Sequence, residues 1–322
     1  MAKAEPKGPR RAGPWRLVFL GSGDFAVPSL EALSKGPDEL SLVVASPPRP
    51  KGRGRKQAHM PTALFAREAG LPLLESARPN DPEVLDFIAS LKPDLLVVTA
   101  FGAILKEGLL SLCPLPPINV HPSLLPRHRG PAPVNWALVE GDTEIGVSIM
   151  FLEAGMDTGP VLARKPMKVL PGDGAARLSE ELAEEGAGLL LETIRQVKEG
   201  SHKAVPQDDS KATVNRLLRK SDGYLDFRED AATLARKING LEPWPAARAM
   251  LGGKAVSFFG ALAMEGSLPP GEVGGLDQDG MLRIGTGSGL LRVSYLQPEG
   301  KGRQEAGAFL RGYRPRLFLP MG

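Results

Sequence analysis

The strongest constraint on this 322-residue chain is an alternation of two hydrophobic periods. Short apolar runs occur at Trp15–Gly21, Leu40–Ala45, Asp94–Ala100, Ile118–His121 and Ile145–Leu152. Each is long enough for one strand. Between them, Val27–Lys35, Thr62–Ala69, the stretch from Asp81 to Leu91, and Ala132–Glu140 read as helices. Strands that alternate with helices return by crossovers, so the pattern predicts an α/β, doubly wound, mostly parallel sheet. A long helix is expected over Asp173–Gly200, with Leu178, Leu182, Leu189 and Ile194 facing the core.

The pattern changes after Val205. Pro206–Ala212 is polar and turn-rich. One helix near Ala231–Asn239 then precedes short strands at Ala255–Phe259, Met281–Gly285 and Leu290–Leu296, separated by glycines. That is the pattern of a small β-barrel with one helix. The chain is also longer than one compact core usually holds. The expected division is a basic tail over 1–14, an α/β domain over 15–205, a linker over 206–218 and a β domain over 219–322.

With 42% hydrophobic and 24% charged residues, the composition is that of a globular protein. The single cysteine, Cys113, excludes an intramolecular disulfide and a cysteine-based zinc site. It lies among apolar neighbours and reads as a structural thiol. No metal is expected. No apolar run approaches the roughly 18–20 residues that span a bilayer, and the N-terminus lacks the apolar core of a secretory signal. A cytoplasmic monomer is expected.

Gly21-Ser22-Gly23-Asp24-Phe25-Ala26 matches the dinucleotide fingerprint G-x-G-x-x-[GA]. The second strand, however, ends Ala45-Ser46-Pro47-Pro48-Arg49. It lacks the acid that binds nicotinamide ribose hydroxyls. The glycines therefore read as a tight strand-to-helix turn, with an NADP-dependent oxidoreductase as a remote alternative resting on Arg49.

Chemistry concentrates at Asn119 and His121. They are two residues apart on a short strand, so both side chains share one face. Pro122 ends the strand. Ligands in open α/β sheets collect beyond the strands' carboxyl ends. Downstream, Asp157 lies between Gly155 and Gly159 in a loop that could return it to His121. An Asp beside a His orients the ring and supports proton transfer. Taken alone, the Asn-x-His pair and the Asp-x-Gly loop also fit ordinary structural roles.

Three wider groups of residues bear on the same region. Asn119-x-His121-x-Ser123-Leu124-Leu125-Pro126 is followed by Arg129-Gly130 and Gly155-Met156-Asp157-Thr158-Gly159. Upstream stand Asp24-Phe25-Ala26, Arg49-Pro50-x-Gly52-Arg53-Gly54 and Ala100-Phe101-Gly102. Downstream stand Asn239-Gly240-x-x-Pro243-Trp244-Pro245 and Leu296-Gln297-Pro298-x-Gly300-Lys301. Together they resemble the 10-formyltetrahydrofolate-dependent formyltransferases, and within them the methionyl-tRNA formyltransferases.

The resemblance implies a Rossmann-like formyltransferase fold followed by an OB-like β-barrel that binds tRNA. It implies Asn119, His121 and Asp157 as catalytic residues. It implies a folate site lined by Ser123, Leu124, Leu125 and Pro126, and bordered by Phe101, Gly102 and Ile104. The formyl donor would be 10-formyltetrahydrofolate and the acceptor initiator Met-tRNA. The basic loop from Pro47 to Pro61, with Arg49, Lys51, Arg53, Arg55 and Lys56, would engage the tRNA. Alternatives within the superfamily are a nucleotide, an amino sugar or water as acceptor. A non-catalytic tRNA-binding protein is a further reading. His202 reads as solvated, and His59, at the edge of the basic loop, as solvated or close to the tRNA.

Overall fold

In the computed structural model, residues 13–51, 56–313 and 316–321 are described. The first part of the chain runs β1 (Arg16–Gly21), α1 (Val27–Ser34), β2 (Glu39–Ala45), β3 (Arg49–Lys51), β4 (Lys56–Ala58) and α2 (Pro61–Glu68). It continues with β5 (Leu73–Glu75), α3 (Pro82–Ser90), β6 (Leu95–Thr99), α4 (Glu107–Leu110), β7 (Ile118–His121), α5 (Pro133–Glu140), β8 (Glu144–Phe151), β9 (Val161–Lys168) and α6 (Ala175–Glu199). The later part holds α7 (Ala231–Gly240), β10 (Ala247–Leu251), β11 (Lys254–Met264), β12 (Val273–Leu276), β13 (Leu282–Gly285), β14 (Leu290–Pro298), β15 (Gln304–Glu305) and α8 (Ala306–Tyr313).

Seven strands form one sheet in the order β5-β2-β1-β6-β7-β8-β9. The pairs β2–β5, β1–β2, β1–β6 and β6–β7 are parallel, and β7–β8 is antiparallel. Strand order therefore reverses between β1 and β6. Every residue of β6, Leu-Leu-Val-Val-Thr, is buried. A strand covered on both faces needs that continuous apolar run, and each fully buried aliphatic side chain contributes about 1.5–3 kcal/mol.

Two compact units share the chain. One contains the chain up to Arg129, Gly146–Pro166 and Glu180–Val214. The other contains Gly130–Ile145, Met167–Ser179 and the chain from Asn215 onward. Helix α5 thus packs within the second unit. There Asn135 Nδ2 donates to the Gly240 carbonyl at the end of α7 (2.7 Å). A Cβ on Gly240 would lie 2.8 Å from Val139 Cγ2, so the glycine permits this close helix contact.

The second unit's sheet follows the path β10-β11-β14-β13-β12, with β15 beside β14. The path is open between β10 and β12. The chain near its C-terminus bonds to both ends: Leu319 pairs with Met250, and Leu317 with Glu272. Phe227, Phe258, Phe309 and Phe318 form the aromatic centre of the core. The Asn239 side chain donates to the Ala261 carbonyl and accepts from the Ala261 amide, both at 2.8 Å, tying α7 to β11.

Several expectations need correction. The basic segment is not simply a loop: β3 and β4 pair antiparallel, with Arg49 opposite Ala58 and Lys51 opposite Lys56. Arg53 and Arg55 lie outside the described residues. Helix α6 buries Leu190, not Leu189, because the core stripe set by Leu178 and Leu182 reaches 190 eight residues on and continues through Ile194. The short strands β5, β10, β12 and β15, and the eight-residue β9 with Arg164, Lys165 and Lys168, do not register as apolar runs.

The glycine-rich turn after β1 is a packing device. A Cβ on Gly21 would lie 2.5 Å from the Phe19 ring and 2.9 Å from the Thr99 carbonyl. Ser22 Oγ donates to Ser46 Oγ and accepts from the Ser46 amide (2.9 and 3.0 Å). Thr62 Oγ1 donates to the Gly21 carbonyl (2.7 Å). A 3₁₀ turn at Asp24–Ala26 separates these groups from α1.

Cys113 packs at the edge of the core around Val98, Phe101 and Leu109. Burial and the nearby Asp94 charge push its thiol up to about 12. The reactive thiolate is therefore scarce at neutral pH. Alkylation at pH ~8 should be at least ~10²-fold slower in the native protein than in denaturant. Near-equal rates would show that the thiol is not held this way.

Candidate active site

The orientation of β7 follows from α6. A Cβ on Gly186 would lie 3.0 Å from Val120 Cγ1 and 3.1 Å from Val147 Cγ2. The helix therefore closes tightly over Val120 and Val147, with no side chain between. Because side chains alternate along a strand, Asn119 and His121 turn to the opposite face. Their cross-strand partners there are Met150 and Ser148.

Asn119 and His121 are both buried. Among the described residues, the Asn119 side-chain amide forms no hydrogen bond. It stands open as a donor. His121 is held at both nitrogens. Nε2 lies 2.9 Å from the His128 carbonyl oxygen. A carbonyl can only accept, so Nε2 carries a proton, and in the neutral form of the ring Nδ1 presents the lone pair. Nδ1 lies 3.7 Å from Asp157 Oδ2, an ion-pair separation slightly beyond a direct hydrogen bond. A proton received at Nδ1 therefore arrives facing a carboxylate. Asp157 has φ +52°, the left-handed region. Asp tolerates that region better than most side chains. The flanking glycines serve close approach: a Cβ on Gly159 would lie 1.9 Å from the Phe151 carbonyl, and one on Gly155 would lie 2.2 Å from Thr158 Oγ1.

The segment after His121 is braced internally. Ser123 Oγ donates to the Arg127 carbonyl (2.7 Å). Ser148 Oγ donates to the Ser123 carbonyl (2.6 Å) and accepts from the Leu125 amide (3.2 Å). Leu125 packs with Met150 and Val161, and Arg164 Nε donates to its carbonyl (2.7 Å). Leu124 is half-buried, over Gly146, and Pro126 is also half-buried. Phe101 is buried, whereas Gly102, at φ +75°, and Ile104, 85% exposed, stand at the surface beyond β6. Arg49 is exposed on β3.

Two further histidines depart from expectation. His59 is not simply solvated. Its Nδ1 lies 2.8 Å from Glu75 Oε1, and Arg67 Nη1 lies 3.0 Å from its Nε2. His202 packs edge-on against Phe151, with ring centroids 5.9 Å apart. His128 is buried, and its backbone carbonyl is what it offers to the site. Nothing in the local sequence announces a carbonyl role, because a backbone acceptor is common to every residue type.

Sequence reading placed Arg129 in the motif without its bonding role, and missed Gln207 and Thr213 as part of this region. Gln207 Nε2 donates to the Asp157 and Gly159 carbonyls, both at 2.7 Å. Arg129, 5% exposed, donates from Nε to Gln207 Oε1 (3.0 Å) and from Nη2 to Asp209 (2.7 Å). Thr213 Oγ1 accepts from the His128 amide (2.7 Å). Among the described residues, no group of three or more His, Cys, Asp or Glu side chains is placed to hold a metal ion.

Comparison with known proteins places this geometry in a family. Residues 15–194 match the formyl transferase model, and 217–314 match the formyl transferase C-terminal domain model. The chain is 44% identical over 299 residues to a methionyl-tRNA formyltransferase of Desulfotalea psychrophila, covering 92% of each protein. Its fold is similar to WlaRD, a sugar 3N-formyl transferase solved in the presence of dTDP and 5-N-formyl-THF. That match has a TM-score of 0.65 and 14% identity, over 89% of this chain and 99% of that one. It is also similar to a HypX variant from Aquifex aeolicus, with a TM-score of 0.66 and 20% identity over 94% of this chain. This chain spans about half the length of HypX, 48% of it. With a buried Asn-x-His pair facing an aspartate loop, and with that degree of identity across nearly its whole length, the chain belongs to the methionyl-tRNA formyltransferase family.

Proposed function

We propose that this protein transfers the formyl group of 10-formyltetrahydrofolate to the α-amino group of methionine on initiator tRNA. The observation that carries the reading is the site itself: an open Asn119 amide on the same face as a His121 whose Nδ1 faces Asp157. It stands in a chain 44% identical to a methionyl-tRNA formyltransferase. These groups suit the donor's chemistry, since a formyl carbonyl needs a hydrogen-bond donor and its transfer needs one proton relay. The folate supplies the formyl group, carried on N10.

The chain's own residues account for the rest. The amine nitrogen forms a bond to the formyl carbon, and the bond to N10 breaks. Asn119 donates to the formyl oxygen as negative charge develops there. His121 accepts the amine proton at Nδ1 and returns one to N10. Asp157 faces the ring while it carries that proton. Phe101, Gly102, Ile104 and the segment Ser123–Pro126 border the folate, chiefly through backbone groups. Residues 15–205 form the catalytic domain. Residues 219–322 form an OB-like tRNA-binding barrel, in which the pairing of Leu317 and Leu319 with both open sheet ends supports closure. Arg49, Lys51, Arg53, Arg55 and Lys56 meet the tRNA backbone. The enzyme acts as a cytoplasmic monomer.

The deciding assay offers 10-formyltetrahydrofolate with charged initiator tRNA, and elongator Met-tRNA as control. Preferential formylation of the initiator is expected; transfer to neither would remove the reading. Asn119→Ala should lower turnover by about 10²–10³. His121→Ala and Asp157→Ala should lower it by about 10²–10⁴. All three should stay folded by circular dichroism. A folded His121→Ala enzyme with near-normal turnover would dismiss that histidine. The KM for tRNA should rise steeply between about 50 and 200 mM salt, and Arg49→Ala should reduce the salt slope by about 1. A salt-insensitive KM would argue against the basic hairpin.

A further inference from the structure

The stretch between the two matched family regions, residues 195–216, contains side chains tied to both halves of the site. Residues 206–218 were expected to be a linker, yet those through Val214 belong to the same compact unit as β7. Val205 exchanges backbone hydrogen bonds with Val161, both at 2.9 Å. Gln207 then spends both amide hydrogens on the Asp157 and Gly159 carbonyls. Its oxygen is occupied by Arg129 Nε, which fixes which way the amide points. Arg129 is itself anchored by Asp209.

Six residues on, Thr213 does the same for the other side. Its hydroxyl accepts from the His128 amide (2.7 Å), its carbonyl accepts from the Arg129 amide (2.9 Å), and its amide donates to the Pro126 carbonyl (3.3 Å). His128 has φ +56°, as Asp157 has φ +52°. Left-handed backbone at such residues costs energy and persists only where the surroundings over-determine it. At His128 the outcome is a carbonyl aimed at His121 Nε2. At Asp157 it is a carboxylate 3.7 Å from Nδ1. Both left-handed residues are therefore held from the same strap.

We propose that Gln207–Thr213 is a positioning strap for catalysis. Gln207 holds the Asp157 loop, and Thr213 holds the carbonyl that sets the His121 tautomer. These residues touch no reacting atom. They act through Asp157 and His121, so the inference rests on the assignment of those two residues. A displacement of about 1 Å in such a site can cost about 10²-fold in rate.

The test uses the full chain with four variants, and His121→Ala as a spectroscopic reference. Gln207→Met keeps the volume and removes every hydrogen bond of the amide. Thr213→Val is an isostere without the hydroxyl, and Thr213→Ser restores it. Asp157→Asn tests the underlying site. Gln207→Met and Thr213→Val should each lower kcat about 10- to 10²-fold. The KM for folate and for tRNA should stay within about twofold, and Thr213→Ser should recover most of kcat. ¹⁵N spectra of histidine-labelled, substrate-free protein should show His121 protonated at Nε2 in the native chain and in Thr213→Ser. Thr213→Val should show a tautomer mixture, with the His121 signal identified by its loss in His121→Ala. Normal kcat in either folded strap variant, beside an inactive Asp157→Asn, would overturn the strap alone. So would a loss expressed in KM, or an unchanged tautomer in Thr213→Val. Full activity of Asp157→Asn would overturn the site assignment and the strap with it. Should Gln207→Met not fold, the Thr213 pair decides.

Discussion

The contact on which the site depends is between a helix and the back of a strand. Helix α6 lies over Val120 and Val147 with only Gly186 between. Val120 is thereby committed to the buried face, and the two-residue period commits Asn119 and His121 to the other. Slipping the strand by one residue would bury the wrong pair against α6. The chemistry of one face is thus set by the packing of its opposite, and a glycine in the middle of a long helix, normally destabilising, has a reason to be there.

Once His121 lies on the face away from α6, its usefulness depends on the groups that distinguish its two nitrogens. A backbone carbonyl determines that Nε2 carries a proton, and a carboxylate lies 3.7 Å from Nδ1. Neither group approaches from the strand itself. One comes from the left-handed turn at His128 and the other from the left-handed turn at Asp157. Two locally costly conformations converge on one ring, which is a common way for a folded chain to place functional groups that local propensity would not.

The α/β alternation was legible because strands buried on both faces read as near-continuous apolar runs, as β6 does up to Thr99. The Asn-x-His pair was legible because strand alternation is a rule of geometry. The β3–β4 pairing was hidden because three residues per strand leave no hydrophobic period. The contacts of Gln207, Arg129 and Thr213 were hidden for a different reason. Their partners are backbone atoms 48 to 85 residues away, or a side chain 78 residues away in the case of Arg129 and Gln207. Backbone acceptors leave no trace in residue type. A polar, turn-rich run reads as a connector whether it is solvated or folded against a unit.

From the sequence alone came the class of fold, the pairing of Asn119 with His121, the likeness to folate-dependent formyltransferases and the structural character of Cys113. These rest on periodicity, on residue chemistry and on motif, all of which are local. Only the tertiary structure decided which nitrogen of His121 holds the proton, how close Asp157 comes, that α5 packs on α7 and that the segment after Val205 braces the site. Those are matters of distance between residues far apart in the chain, and a one-dimensional pattern does not contain them.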